Sequence, residues 1–182
     1  MKIVALGGEP ATGKTTLTKR LFKSIYDFQV LKFGLLRLLS SEQDKLLLLG
    51  IYNFNVNKPF EGTDRLSMSV ILDARRFVKW ASVNRQGYNI FFEGDRLFTQ
   101  DFIDYCKKFC ETKVYVLTCD PQTLTSRHTE RGDMQNGTWL KGRLTKIANI
   151  ASEPRNEAVM LINNDKADLI RNLLTLRKEL NL

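Results

Sequence analysis

A lysine and two threonines close a glycine-bounded run, Gly8-Glu9-Pro10-Ala11-Thr12-Gly13-Lys14-Thr15-Thr16. Residues of these types at this spacing can wrap a phosphate chain. The glycines let the backbone curl, so that N–H groups of Gly8, Ala11, Thr12, Gly13 and Thr16 face phosphate oxygens at a helix N-terminus. Lys14 can reach the β- and γ-phosphates, and the Thr15 hydroxyl can ligate Mg²⁺. Both flanks agree with that use. Ile3-Val4-Ala5-Leu6 leads in as a buried strand, and Thr15 to Phe22 leads out at helical spacing. A plain glycine turn with a chance match is the alternative, and the lysine, the threonine and both flanking elements argue against it. The expected ligand is a nucleoside triphosphate.

Three further groups carry charge of the right kind. Tyr88 to Phe92 is an apolar strand that ends in Glu93, followed by Gly94, Asp95 and Arg96. A carboxylate at the C-terminal end of a buried strand can hold a metal-bound water. Glu93 is the expected Mg²⁺ residue, whereas Asp95 can orient or deprotonate an acceptor. Arg96 either neutralises phosphate charge or ion-pairs with a nearby acid. Arg127 and Arg131 stand four apart and share a helix face. With Gly132, Asn136 and Gly137 after them, they suit a lid over about residues 126–145 that closes on phosphates. The rival reading is a pair of arginines at a helix C-terminus. Asp64 and Arg65, at the edge of a loop and a helix, can enter a cleft, although Thr63 or Asp64 serves equally well as a helix cap. Asn164, after the last strand, can touch a nucleobase, and turn chemistry explains it as well.

The elements that must position these groups are legible in outline. Strands are expected at 2–7, 29–33, 46–52, 88–92, 113–119 and 159–164, with a helical turn at 35–39. Helices are expected from Lys14 to about Tyr26, from Thr63 or Asp64 to Gln86, from Phe98 to Glu111, through Arg127, through Arg143, and from Asp165 to Leu180. Strand–helix alternation predicts an α/β fold, three-layered, with a mostly parallel, doubly wound central sheet and a basic lid. The 182 residues fit one domain. Within it, 44–65, with Asn55, Asn57 and Pro59 as turn formers, looks like an acceptor-binding insertion. Trp139 is either core or a stacking platform for a base.

Composition narrows the class. No apolar run is long enough to span a bilayer, and the first strand begins too early for a targeting peptide, so a cytoplasmic protein is expected. Cys106, Cys110 and Cys119 have no second cysteine pair or histidine cluster. They read as reduced, mostly buried thiols, with zinc a remote alternative. The formal net charge of +8 exceeds what a nucleotide site needs. It suits a polyanionic partner, or simply a basic soluble protein.

The order of parts resembles the P-loop kinases: phosphate loop, acceptor region, carboxylate-ended strand, R-x-x-x-R lid, base-contacting loop. The resemblance covers almost the whole chain and implies the P-loop NTPase fold, ATP and Mg²⁺. A narrower likeness rests on Leu49-Gly50-Ile51-Tyr52, Gly62-Thr63-Asp64-Arg65-Leu66-Ser67-Met68 and Phe92-Glu93-Gly94-Asp95-Arg96. These are similar to bacteriophage kinases that phosphorylate 5-hydroxymethyluracil within double-stranded DNA. That likeness implies substrate contacts at Tyr52, Thr63, Asp64, Arg65 and Arg96. It implies nucleotide contacts from Arg127 and Asn164, and catalysis by Lys14, Asp64, Glu93, Asp95, Arg127 and Arg131. A kinase of free deoxynucleosides or their monophosphates is the neighbouring reading, and a DNA-associated ATPase without an acceptor is the more distant one. Oligomeric state is not legible.

Overall fold

The computed structural model describes residues 1–54, 60–131 and 137–182. Seven strands form one sheet in the order β2-β3-β4-β5-β1-β6-β7. They are β1 (Lys2–Gly8), β2 (Gln29–Phe33), β3 (Leu36–Ser41), β4 (Leu46–Leu49), β5 (Asn89–Glu93), β6 (Glu111–Thr118) and β7 (Val159–Ile162). From β4 to β7 every pair is parallel, while β2–β3 and β3–β4 are antiparallel. The helices are α1 (Lys14–Phe22), α2 (Val70–Asn84), α3 (Gln100–Lys107), α4 (Pro121–Arg131), α5 (Gly137–Ser152) and α6 (Lys166–Leu180).

The sequence explains this layering. β1, β4 and β5 are apolar on consecutive positions because both of their faces are covered, as parallel central strands require. Ile3, Ala5, Leu47, Ile90 and Phe92 face one core with α2, α3 and α5 residues such as Phe77, Phe102 and Ile150. Val4, Leu6, Leu48 and Phe91 face the other, with Leu17, Leu21 and Phe22 of α1 and Leu176 and Leu180 of α6. The expected three-layer α/β/α fold is therefore present. The C-terminal helix is tied to the centre of the sheet: Glu179 accepts from Lys2 Nζ at 2.5 Å and from Tyr115 Oη at 2.9 Å.

Several boundaries differ from expectation for physical reasons. Residues 36–39 are not a helical turn but lie on β3, after a turn at Gly34-Leu35, since Leu38 and Leu39 pair with Leu49 and Leu48 of β4. Leucine periodicity alone does not separate a short helix from a doubly covered strand. α2 starts at Val70 with Ser69 at its N-cap, so neither Thr63 nor Asp64 caps it. Thr63 instead donates its backbone N–H to Glu93 O at 3.0 Å, which holds that stretch against the sheet. α1 ends at Phe22 rather than near Tyr26. α3 is shorter than 98–111: the Thr99 side chain caps it, it ends at Lys107, and Phe109 beyond it is 37% exposed. Asp165 does cap α6, accepting from the Asp168 N–H at 2.9 Å. Arg75 and Arg76 of α2, and Arg85 at its C-cap, pair with Asp101, Asp73 and Glu42. Cys106 is buried and Cys110 and Cys119 are half-buried, all three as free thiols. The turn expected from Asn55, Asn57 and Pro59, and the flexible Gly132 and Asn136, lie outside the described residues. So do the roles expected of the Arg131 and Trp139 side chains. Among the described residues no helix is long and apolar enough to cross a membrane.

Phe91 lies at the centre of the second core, fully buried, with its ring 4.9 Å from that of Phe22 in an edge-on contact. Phe91→Ala should lower unfolding free energy by about 3–5 kcal/mol, read as a shift of the urea midpoint at unchanged slope.

Candidate active site

β1 delivers the chain at the C-terminal edge of the sheet, and α1 carries it away. Between them the loop bends through left-handed conformations at Ala11 (φ 64°) and Gly13 (φ 97°). Alternating backbone hands of this kind turn consecutive N–H groups toward one point. Thr12 locks the bend from inside, its hydroxyl donating to Glu9 O at 2.8 Å. Lys14 Nζ donates to the carbonyls of Gly8 at 2.8 Å and Glu9 at 2.7 Å, so its ammonium lies over the loop.

Two cavities meet along this loop, and Ala11 and Gly13 line both. The first, of about 290 Å³, brings Lys14 and Thr15 together with Asp64, Glu93, Asp95 and Arg143, and with Phe98 and Ile147 as apolar wall. The second, of about 450 Å³, is bounded by Thr16, Arg20, Arg127, Asn163, Lys166 and Leu169. Together the two cavities run along the loop from Arg127 at one end to Glu93 at the other.

Glu93 is 2% exposed, at the last position of β5. Burial pushes its carboxyl up to about 7; Lys14 pulls the other way, and Asp64 adds to the rise. The parallel pairing of β5 with β1 sets this position, with Glu93 beside Leu6, two residues before Gly8. The other flank is supplied by 61–63, which returns to the edge of β4: Ile51 N–H donates to Gly62 O at 2.7 Å, and Gly62 N–H to Ile51 O at 3.1 Å. Gly62 (φ 57°) passes so close that a Cβ there would stand 2.1 Å from Glu93 Oε1. Only glycine fits that passage. Tyr52, buried below it, accepts from the Glu93 N–H at 3.3 Å. Burial, and then the Glu93 charge, push its phenol well above the ordinary value.

The remaining expected site residues separate into those facing the cavities and those holding the walls. Asp64 faces the first cavity, and its Oδ1 accepts from the Asp95 N–H at 2.6 Å. Thr63 is fully buried, with its backbone on Glu93, and so is wall rather than lining. Arg65 is 72% exposed in its side chain and pairs with Glu61 at 3.0 Å. Arg96 donates to Leu66 O at 3.2 Å and Asp64 O at 3.4 Å; the carbonyls of the 64–66 turn hold it, where an acidic partner was one expectation. Arg127 donates to Thr12 O at 3.3 Å and Asn164 O at 3.1 Å, joining α4 to the phosphate loop and to the loop after β7. Asn164 Oδ1 accepts from the Asp120 N–H at 2.8 Å, which makes its side chain a staple between two loops.

Sequence reasoning passed over Arg20, Lys166, Ile147 and Phe98 as lining, did not set Arg143 in the cleft, and took Asn163 only as part of the 163–165 loop. Asn163 is buried and donates to Thr12 O at 2.7 Å. Its position one residue past β7 is the only signal the sequence offers. Among the described residues no three His, Cys, Asp or Glu side chains gather into a metal cage. The donor set nevertheless suits Mg²⁺: a threonine hydroxyl and one or two carboxylates, with phosphate oxygens and waters completing the shell.

The model of the P-loop Nucleotide Kinase3 family matches residues 1–167. A sugar kinase from Janibacter sp. HTCC2649 aligns over 100% of this chain and 95% of its own, at 13% identity and a TM-score of 0.54, which supports the same fold. A gluconokinase from Sinorhizobium meliloti 1021 and a shikimate kinase from Bacteroides thetaiotaomicron each align over 99% of this chain and over 95% and 98% of their own. Both are 12% identical, with TM-scores of 0.49 and 0.43, too low to carry an argument. No curated protein matches the sequence.

The buried carboxylate has a measurable consequence. The folded protein keeps Glu93 protonated up to about 7, whereas an exposed glutamate releases its proton near 4.5. Between those values the folded state binds more protons. The group's contribution to stability is therefore full below the lower value and lost as pH rises through the upper one. Glu93→Gln should raise unfolding free energy at pH 8 by up to roughly 3 kcal/mol, with the gain shrinking toward pH 4.5. Parallel urea titrations at several pH values read it.

Proposed function

The chain belongs to the P-loop Nucleotide Kinase3 family, and we propose that it moves the γ-phosphoryl group of ATP onto the hydroxymethyl group of 5-hydroxymethyluracil in DNA. The observation that carries the phosphotransferase reading is the shared wall of the first cavity, where Lys14 and Thr15 face Glu93 and Asp64. Binding alone does not call for two carboxylates opposite a phosphate loop. Transfer does, since the charge of the phosphates, the metal and the acceptor proton must all be managed in one place.

The roles follow from position. The loop N–H groups and Lys14 orient the β- and γ-phosphates, and Arg127 braces the loop from the nucleoside side. Thr15 and Glu93 would hold Mg²⁺, which draws charge from the phosphate oxygens when bound. The acceptor oxygen bonds to the γ-phosphorus while the bond to the β–γ bridging oxygen breaks. The acceptor proton passes to Asp64 or Asp95, and ADP leaves with the displaced electron pair. The apolar wall of Phe98 and Ile147 excludes water from the same space.

DNA as the carrier of the acceptor is supported by the +8 net charge and by the motif likeness around 49–52, 62–68 and 92–96. A cavity of about 290 Å³ admits one nucleobase and no duplex. On this reading the modified base leaves the helical stack to reach Asp64. The same dimension favours the second reading, a kinase of a free deoxynucleoside or its monophosphate. Salt separates them: binding to DNA through several phosphates weakens steeply as salt rises, whereas binding of one nucleotide changes little.

The test is transfer from γ-labelled ATP to hydroxymethyluracil-containing DNA, to unmodified DNA and to a panel of deoxynucleotides. Label in the modified DNA alone is expected. Label in a free deoxynucleotide alone would sink the DNA reading and keep the kinase. Lys14→Ala should lower turnover at least about 100-fold on whichever acceptor is active.

A further inference from the structure

The two aspartates beside Glu93 do different work. Asp95 lines the first cavity, and its carboxylate is engaged by α5. There Arg143 pairs with Oδ2 and Lys146 with Oδ1, the latter at 2.8 Å. Lys146 also donates to the Asp95 backbone carbonyl at 2.8 Å. The side chains of all three are only about a quarter exposed, so water screens these contacts less than it would on an open surface. Arg143 and Lys146 stand three residues apart and therefore project from one face of α5. The backbone of Asp95 has a separate duty, since its N–H is held by Asp64 Oδ1 at 2.6 Å. Gly94 (φ 104°) makes both possible: a Cβ there would stand 2.9 Å from Asp64 Oδ1 and from Thr63 Oγ1.

We propose that Asp95 is a positioning residue, a latch whose carboxylate fixes α5 at the mouth of the cleft while its backbone N–H aims Asp64 at the acceptor. Asp64 is then the carboxylate that meets the acceptor hydroxyl. With Oδ1 committed to the Asp95 N–H, the carboxylate is held in one orientation at the cavity wall. The latch also explains why Arg143 and Ile147 line the first cavity although α5 begins 44 residues after β5 ends. Helix and acceptor carboxylate are joined through one residue, so a shift of α5 is felt at Asp64. The inference rests on the phosphotransferase reading for its kinetics only, and α5 can be followed without any acceptor.

The experiment compares Asp95→Asn, Lys146→Met, their double variant and Asp64→Asn. Amide hydrogen exchange of α5 is measured in the free protein, and kcat and KM with the active acceptor, or ATP hydrolysis where no acceptor is phosphorylated. For Asp95→Asn the latch predicts α5 exchange faster by about tenfold. It predicts KM raised by a similar factor, and kcat within a few-fold of the parent. Lys146→Met should reproduce this, and the double variant should be little worse than either single one. Asp64→Asn should leave α5 protected and lower kcat about 10²–10⁴-fold. Unchanged α5 exchange in Asp95→Asn overturns the latch. So does a kcat loss in Asp95→Asn as large as that of Asp64→Asn which Lys146→Met does not share. Absence of transfer to every acceptor strikes the function proposed above and leaves the exchange result to decide the latch.

Discussion

An ionisable carboxyl buried at the end of a parallel strand is costly, and much of this fold makes sense as the means of keeping one there. Glu93 sits at the end of a strand flanked by apolar residues, with water almost wholly excluded. Left unbalanced, such a group stays protonated and holds no metal. Lys14 supplies one counter-charge across the cavity, and a bound cation would supply the rest. The surroundings are shaped to keep the group in place. Gly62 and Tyr52 close on it from the 44–65 insertion, and the central pairing of β1 with β5 sets how far it lies from the phosphate loop.

That insertion therefore has a structural use beside any part in substrate choice. Its strand β4 joins β5 to the antiparallel pair β2 and β3 that precedes it, so β4 is covered on both edges. The chain then leaves β4 and returns through Gly62, which sets Thr63 and Asp64 against β5. Asp64 reaches the cleft because the backbone of its neighbour Thr63 is tied to Glu93 O. A helix starting at Thr63 would have turned that carboxylate elsewhere.

What could be read from the sequence followed how local each signal is. The loop from Gly8 to Thr16 is contiguous, and strand, turn and helix N-terminus are all fixed by residues within a dozen positions. Glu93 was legible for the same reason, an acid closing an apolar strand. The cap at Asp165 was as well, since capping depends on a side chain reaching three residues ahead. Residues 36–39 were misread because leucines on both sides of Arg37 satisfy helix and buried strand alike; the pairing with β4 that decides between them is long-range. The start of α2 was misread because the hydrogen bond from Thr63 to Glu93 spans 30 residues and leaves no local trace. The division of labour between Asp64 and Asp95 was also out of reach. It depends on Arg143 and Lys146, whose place beside Asp95 only the tertiary fold creates.

The lysine of the phosphate loop has a consequence of its own. A free lysine side chain samples many rotamers, and fixing it costs about 2 kcal/mol of rotamer entropy. Lys14 is already fixed, its ammonium shared by the carbonyls of Gly8 and Glu9. The ordering is thus completed as the protein folds and is not charged against the arriving nucleotide. Those carbonyls take the hydrogen bonds that phosphate oxygens would take on the proposed function. On that reading, phosphate entry would be an exchange of acceptors around a cation already in place.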